Sequence, residues 1–458
     1  MSSISVIAIF DVGKTNKKLL LFDEQYKLVH EEGKQLEEIS DEDGFACEDV
    51  HSLTGWIKSS FERLLSERKF DIKAVNFSAY GASFVYLDNE LNIIPPLYNY
   101  LKPYSAELQK RFYDRYGGEH IVARQTASPT LGNLNSGMQL YRMKYEKPET
   151  FKKIKWALHL PQYLSFVLSS AVNSDITSVG CHTNLWDFQY DRYHTWVDEE
   201  KMGEKLAAIL NCSEIAGYSS QIPVGVGLHD SSAALIPYLS SFSEPFILLS
   251  TGTWCISLNP FNQSQLTNNE LNQDCLCYLS YEGKPVKASR LFAGYEHEQQ
   301  VKKLSLYFNK PYDYFTTVAL DMDIIKKLRP EKDKARNTSM KPMVGQSTFG
   351  DRKLDDFPNY EEAYHQLIAD IIRQQVKSTN LVLRGTEVKK IFVDGGFSKN
   401  VIYMYLLAKD YPAIEVYAAS VAQASALGAA LAIHKHWNKE ALPVNIIELK
   451  SYTAVPVF

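Results

Sequence analysis

Cysteine is scarce in this chain and scattered: six residues, at 47, 181, 212, 255, 275 and 277, over 458 positions. Small disulfide scaffolds need a dense, regularly spaced set, so the pattern excludes that class and predicts reduced thiols in a cytoplasmic setting. Cys275 and Cys277 fall in "NQDCLCYLSY", an alternating stretch that reads as a strand with both side chains on one face. A metal site there needs a second pair, and none follows, which favours buried structural thiols. Long apolar runs are missing as well. Nothing approaches the ~20 residues of a membrane-spanning helix, and the opening "SVIAIF" is shorter than a signal peptide's apolar core and lacks its basic flank. No block of basic residues occurs either. The formal charge is -5, and "KKLRPEKDKAR" (326–336) mixes signs as a solvated loop does. Nucleic acid and membrane are therefore not expected as partners.

The opening also lacks something it first suggests. In "AIFDVGKTNKKLLLF" (8–22), Gly13-Lys14-Thr15 looks like the end of a P-loop, yet the glycine which that pattern requires five positions earlier is Ala8. The following residues continue as an apolar run instead of opening a helix, so the stretch reads as strand, tight turn, strand. Such a turn presents Asp11, Gly13, Thr15 and backbone N–H groups, another way to hold phosphate and its metal.

What is present is the composition of a globular protein, 45% apolar and 22% charged, with 28 tyrosines that favour polar-tipped aromatic surfaces. A prior of about 150 residues per domain suggests two or three domains, and two large ones is the reading adopted. Apolar runs such as "AVNFSAYGASFVYLD" (74–88) alternate with helical patterns such as "LTGWIKSSFERLLSERK" (53–69), which predicts an α/β fold. A helix-rich insert follows, and within it 177–196 reads as loop-like and aromatic. The Ser and Pro cluster "PYLSSFSEPF" marks a boundary near Ser240, giving domains 1–240 and 241–458. Beyond it "FILLSTGTWCISLNP" (246–260) repeats the opening device, which suggests a duplicated domain. Then come a long amphipathic helix (360–383), the strand-to-helix junction "VDGGFSKN", and "SVAQASALGAALAIHKHW", a small-residue helix suited to close packing.

Two glycine turns, Gly13 to Thr15 and Thr251 to Thr253, supply backbone donors on both sides of a triphosphate. At the junction, Gly395 and Gly396 let a flat base approach the backbone, and Asn400 is placed to bond a ribose. Phosphoryl transfer needs an acid for Mg2+, suited to Asp11, and an acid to take a proton. For the second, "PVGVGLHDSSAALIPY" (223–238) places His229 and Asp230 ahead of a small-residue helix. From that stretch alone Asp230 reads equally as a helix cap.

In order, "FDVGKTNKK", "GLHDSSAAL", "STGTWCISL", "VDGGFSKN" and "AQASALGAAL" resemble the ordered motifs of the FGGY carbohydrate kinases, sugar kinases of the actin-like ATPase superfamily. The resemblance spans nearly the whole chain and implies two ribonuclease H-like α/β domains flanking a catalytic cleft, with ATP and Mg2+ as cofactors. It implies that Asp11 organises Mg2+ and the phosphates within a turn of Gly13, Lys14, Thr15, Asn16 and Lys18, and that Asp230 is the general base. It implies that Thr251, Gly252 and Thr253 bind the transferred phosphate, and that Gly395, Gly396, Ser398 and Asn400 lie at the adenosine. "LHLPQYLSFVLSSAVNSDITSV" resembles the family's helix and loop ending in Asp and Thr near the sugar. Departures stand at Lys14 and Asn16, at Gln139 and Tyr141, and at Gln423. His229-Asp230 with "GTWCIS" looks like the rhamnulose and fuculose branch, so a 6-deoxy ketohexose is the expected substrate, with xylulose, ribulose or glycerol as alternatives. His229 reads as sugar-binding or structural. The sugar pocket is expected at Tyr80, Gly81, Ala82 and Ser83, with Tyr98 and Asn99, residues that read equally as strand-end packing. A small-molecule sugar is the expected partner, and a homodimer is left open. Rival readings are an actin-like chaperone ATPase and a sugar sensor without turnover.

Overall fold

The computed structural model describes residues 3–330, 348–421, 423–443 and 446–453. From residue 331 onward the mixed-charge stretch lies outside the described residues.

Nine residues of near-continuous apolar sequence make β1 (Ile4–Val12), the centre of the first sheet, buried from Val6 to Phe10. Strands covered on both faces read as such runs. With β2 (Lys17–Asp23), β3 (Leu28–Lys34), β4 (Phe70–Ala79), β5 (Ile215–Ser219), β6 (Ile222–Gly225) and β7 (Leu228–His229) it forms a seven-stranded sheet ordered β5-β6-β4-β1-β2-β3, β7 also pairing with β4. The second sheet takes β8 (Phe246–Thr251), β9 (Cys255–Asn259), β10 (Cys275–Leu279), β11 (Pro285–Leu291), β12 (Lys390–Gly395), β13 (Glu415–Ser420) and β14 (Glu448–Tyr452) in the order β10-β11-β9-β8-β12-β13-β14. Both are built on one plan. A central strand pairs antiparallel with its successor through a tight turn and parallel with a strand far along the chain, β1 with β4 and β8 with β12. The order β3-β2-β1-β4-β6 is matched by β11-β9-β8-β12-β13, so the repeated opening device is a repeated topology.

Helices cover these sheets. The first, α1 (Val50–Ser66), is capped by Asp49, whose side chain accepts from the backbone of His51 and Ser52, and it buries Val50, Leu53, Ile57, Phe61 and Leu64 at helical spacing. In the insert α2 (Ser136–Glu146) and α3 (Ile176–Val179) surround a core that includes Phe112, Tyr141 and Trp196. The stretch 177–196 is more ordered than expected: α3 leads into a paired Trp186–Asp187 and Arg192–Tyr193 and then a helix, Thr195–Glu199. Its elements are too short to show a period, and buried aromatic contacts hold them. All six cysteines are free and buried, those of β10 included.

In the second half α4 (Asp230–Ser241) leads out of the first sheet, followed by α5 (Ala293–Tyr307), α6 (Tyr360–Leu383), α7 (Val401–Asp410) and α8 (Ala424–Ala432). The last comes late in the chain yet packs on α4 and the first sheet. The Asn76 amide of β4 donates to the Ala429 carbonyl at 2.8 Å. A Cβ on Gly428 would fall 1.8 Å from the Ala233 carbonyl oxygen, so the two backbones touch there only because the residue has no side chain. One hydrophobic cluster runs through Ile7 and Leu20, Leu235 and Ile236, Leu248 and Phe392, and Ala429. Among the described residues no helix is long and apolar enough to cross a membrane.

Candidate active site

The strands β1 and β4 run parallel and end side by side, Asp11 opposite Ser78, and β8 and β12 do the same with Thr251 opposite Gly395. The carboxyl ends of parallel strands are where such sheets leave a crevice. At the first end the turn after β1 is closed by Gly13 N–H donating to the Asn16 carbonyl at 2.9 Å. The Asp11 carboxylate accepts the Ser425 hydroxyl of α8 at 3.0 Å. Burial first, then the neighbouring charge of Asp230, push Asp11 up to about 6, opposed by the hydroxyls of Ser425 and Ser78 and by Lys18. Asp11 thus senses the charge of Asp230.

Asp230 is the first residue of α4 and His229 holds the cap position, so the cap reading is corrected. Burial pushes Asp230 up to about 6 against the N–H and hydroxyl of Ser231. Its side chain is nonetheless 35% exposed, and water at that edge tempers the push. His229 Nε2 lies 3.4 Å from both Asp230 Oδ1 and Cys181 Sγ. Burial holds it down to about 4, so it is a neutral neighbour of the acid. The imidazole explains Gly81, where a Cβ would meet His229 Cδ2 at 2.7 Å. From the insert, Thr177 Oγ1 accepts the His229 N–H at 3.0 Å and donates to Asp175. Asp175 is fully buried. The Asp and Thr expected near the sugar therefore fix the backbone at His229, the residue before Asp230.

The pocket wall differs from expectation in detail. Ala82 sits at φ 61°, its carbonyl accepting Gln139 Nε2 at 2.5 Å, and the Ser83 carbonyl accepts the Leu160 N–H. Gln139 thus braces this turn, and Tyr141 is buried in the insert core. Tyr98 donates to Glu42 at 2.7 Å and Asn99 to the Ala46 carbonyl at 3.0 Å. Both are engaged by the hairpin of 38–48. Tyr100, two residues on from Tyr98, senses Asp230: its hydroxyl is held up by burial and then by Asp230 and Glu48. Alternation along "YNYL" puts neighbours on opposite sides, a signal that selects Tyr98 and Tyr100 together without saying which faces inward.

The phosphate residues sort similarly. Lys14 pairs with Glu38 at 2.7 Å, and Lys18 pairs with Glu31 at 2.8 Å and donates to Gln423 at 3.2 Å, so neither projects unpaired into the cleft. Thr15 and Asn16 are exposed. In the second turn Gly252 and Thr253 are exposed, Gly252 N–H donating to the Trp254 carbonyl and the Thr253 carbonyl accepting from Tyr295. Thr251 is buried. Its hydroxyl donates to the Asp394 carbonyl at 2.5 Å and accepts the Phe397 N–H at 3.0 Å, tying turn to junction instead of offering itself to phosphate. Gly395 has φ 91°, and a Cβ there would lie 2.1 Å from the Thr251 carbonyl oxygen. Gly396 stands beside the same carbonyl, Ser398 Oγ donates to the Gly395 carbonyl at 2.8 Å, and Asn400 caps α7 while its amide donates to Tyr364 at 2.7 Å. Asn400 thus has its amide engaged within its own domain, in place of the ribose contact expected of it. Among the described residues no group of three or more His, Cys, Asp and Glu forms a metal cage. A depression lined by Arg124, Gln189, Gln263 and Pro285 contains none of these groups.

Two sheets of one topology, each with a central strand paired parallel to a strand far along the chain, are the architecture of the actin-like ATPase fold. Residues 6–237 match the N-terminal domain of the FGGY family of carbohydrate kinases and residues 243–441 the carbohydrate kinase FGGY C-terminal domain. The chain belongs to the FGGY family of carbohydrate kinases. It is similar to a rhamnulokinase of Klebsiella pneumoniae (strain 342), 26% identical over 251 residues, 49% of this chain and 49% of that protein. Similarity to a rhamnulokinase of Halalkalibacterium halodurans is 23% over 260 residues, 54% of this chain and 52% of the relative. The chain spans about half the length of the curated relatives it matches. Solved structures of a ligand-bound xylulose kinase from Lactobacillus acidophilus (TM-score 0.79, 16% identity, 99% of this chain and 94% of that one) and a carbohydrate kinase from Novosphingobium aromaticivorans (0.78, 20%, 98% and 94%) share its fold.

Proposed function

We propose that this chain is an ATP-dependent sugar kinase that phosphorylates a ketose hydroxyl, with a 6-deoxy ketohexose as substrate. The observation that carries the reading is the pair of opposed carboxylates, Asp11 at the end of β1 and Asp230 at the start of α4, the first pushed up partly by the second. The sugar preference rests on the curated relatives at 22–26% identity, which are rhamnulokinases. A xylulose or glycerol kinase is the second reading, favoured by neighbours in fold described in those words.

Asp230 accepts the proton of the attacking hydroxyl, for which a carboxylate raised toward neutrality is a better base than an ordinary one. Ser231 and neutral His229 hold it in place without adding a charge that would compete with the sugar. The backbone amides of the two turns face the growing charge on the phosphoryl oxygens. Asp11 would hold Mg2+, and its hard oxygen donors fit an ion that keeps water and phosphate as most of its ligands, so the lack of a protein-only cage is no obstacle. Bound there, the ion supplies charge neutralisation of the phosphates. The test is ADP release across a panel of ketoses and polyols with ATP and Mg2+. Release dependent on rhamnulose or fuculose supports the reading, release with xylulose or glycerol alone supports the second, and sugar-independent or absent release overturns both.

A further inference from the structure

We propose that Lys17, Glu48 and Tyr80 form a positioning chain that fixes one wall of the sugar cleft to the first phosphate turn, an inference that rests on the kinase reading above. Lys17 opens β2 directly after the turn, yet it points inward. Its Nζ lies 2.6 Å from Glu48 Oε1, the two side chains 4% and 3% exposed, and it donates to the Lys14 carbonyl in the middle of the turn at 3.1 Å. The other Glu48 oxygen accepts the Tyr80 hydroxyl at 2.6 Å. Tyr80 leaves the end of β4, where its N–H donates to the Val12 carbonyl at 3.1 Å, and its ring centroid lies 6.0 Å from that of Tyr100, which senses Asp230. The next residue is Gly81, against the His229 imidazole. The chain therefore runs from the turn through a buried ion pair to the wall that meets the base.

A buried ion pair gains little or nothing in stability over apolar residues of similar shape, because desolvation offsets the attraction. What it supplies is geometry: a fixed angle between Tyr80 and the turn, hence between sugar hydroxyl and transferring phosphate. Reacting groups displaced by about 1 Å lose about a hundredfold in rate.

The experiment compares the full chain with Tyr80→Phe, Glu48→Gln and the charge-free Lys17→Met/Glu48→Leu, measuring kcat and KM for the preferred sugar, ADP affinity without sugar, and Tm. The charge-free variant removes both charges together, so it keeps its fold. The positioning role predicts that it and Tyr80→Phe each lower kcat by about tenfold to a hundredfold, leave ADP affinity and Tm near the parent's, and combine without a further loss. Wild-type kcat in the charge-free variant, or additive losses, would overturn it. So would kcat losses that track Tm in both the charge-free variant and Tyr80→Phe; Glu48→Gln, which leaves Lys17 buried without its charge partner, should lower Tm as well as kcat. A parent chain inactive with every sugar overturns the kinase reading instead, with Asp230→Asn then indistinguishable from the parent.

Discussion

On the proposed reading Asp230 is the general base, and its environment makes the consequences measurable. Asp230→Asn removes the proton acceptor and should lower kcat by about 100-fold to 10,000-fold while ADP affinity stays near the parent's in a binding titration. With the carboxyl pushed up to about 6, activity of the parent should rise as pH passes through that value and level off above it, in a profile of kcat against pH. The same shift affects stability with a definite sign. A carboxyl raised in the folded state stabilises it below its unfolded value, and that contribution is lost as pH rises through about 6. Above that, the buried charge is a cost that Asn lacks. Discounted for the 35% of the side chain open to water, Asp230→Asn should raise stability at pH 8 by about 1 kcal/mol and leave it unchanged near pH 3, read as Tm at each pH. At this scale the sequence was informative about residue type and weaker about direction. Asp11 stands near the end of the first sheet's central strand and Asp230 at the start of α4, each pushed up by burial, whereas the Thr251 hydroxyl and the Asn400 amide are engaged by partners in their own domain.

Among the elements, two glycines decide whether strands and helices meet as they do. Gly395→Ala adds a Cβ at φ 91° and 2.1 Å from the Thr251 carbonyl oxygen. Strain of that kind costs about 1–3 kcal/mol, so Tm should fall and nucleotide affinity with it, since the junction and the second phosphate turn move together. Gly428→Val inserts three carbons where even one would lie 1.8 Å from the Ala233 carbonyl oxygen. Overpacking costs about 1–3 kcal/mol, and more where backbone must yield. Chemical denaturation should show that loss, with kcat falling too because α4 begins at Asp230, the proposed base. The helix was legible as a small-residue run. Its partner was not, since Ala and Gly record that something is close and not what it is.

For the whole molecule, the hydrophobic cluster shared by the two halves has a direct consequence. Residues 1–241 expressed alone would lack α8 and leave Ile7, Leu20, Leu235 and Ile236 without Ala429 and its neighbours. At about 25 cal/mol per Å² of apolar area, exposure on that scale exceeds the margin of an ordinary domain. The fragment should show no cooperative thermal transition by circular dichroism, and addition of residues 242–458 in trans should restore one. A fragment that melts cooperatively on its own would show the halves to be independent, contrary to their shared core.

The amino-acid sequence by itself determined the strands, the tight turns and the repeated device, because these depend on local periodicity and on residues whose chemistry has few uses. Only the tertiary structure decided that Tyr98 donates to Glu42 while Tyr100 senses Asp230, that Lys17 turns away from the phosphate turn's solvent side, and that α8 completes the first half's core. Those choices are made by partners distant in the chain, Glu48 for Lys17 and Ala233 for Gly428, and no local pattern encodes which of several chemically suitable partners the fold brings within reach.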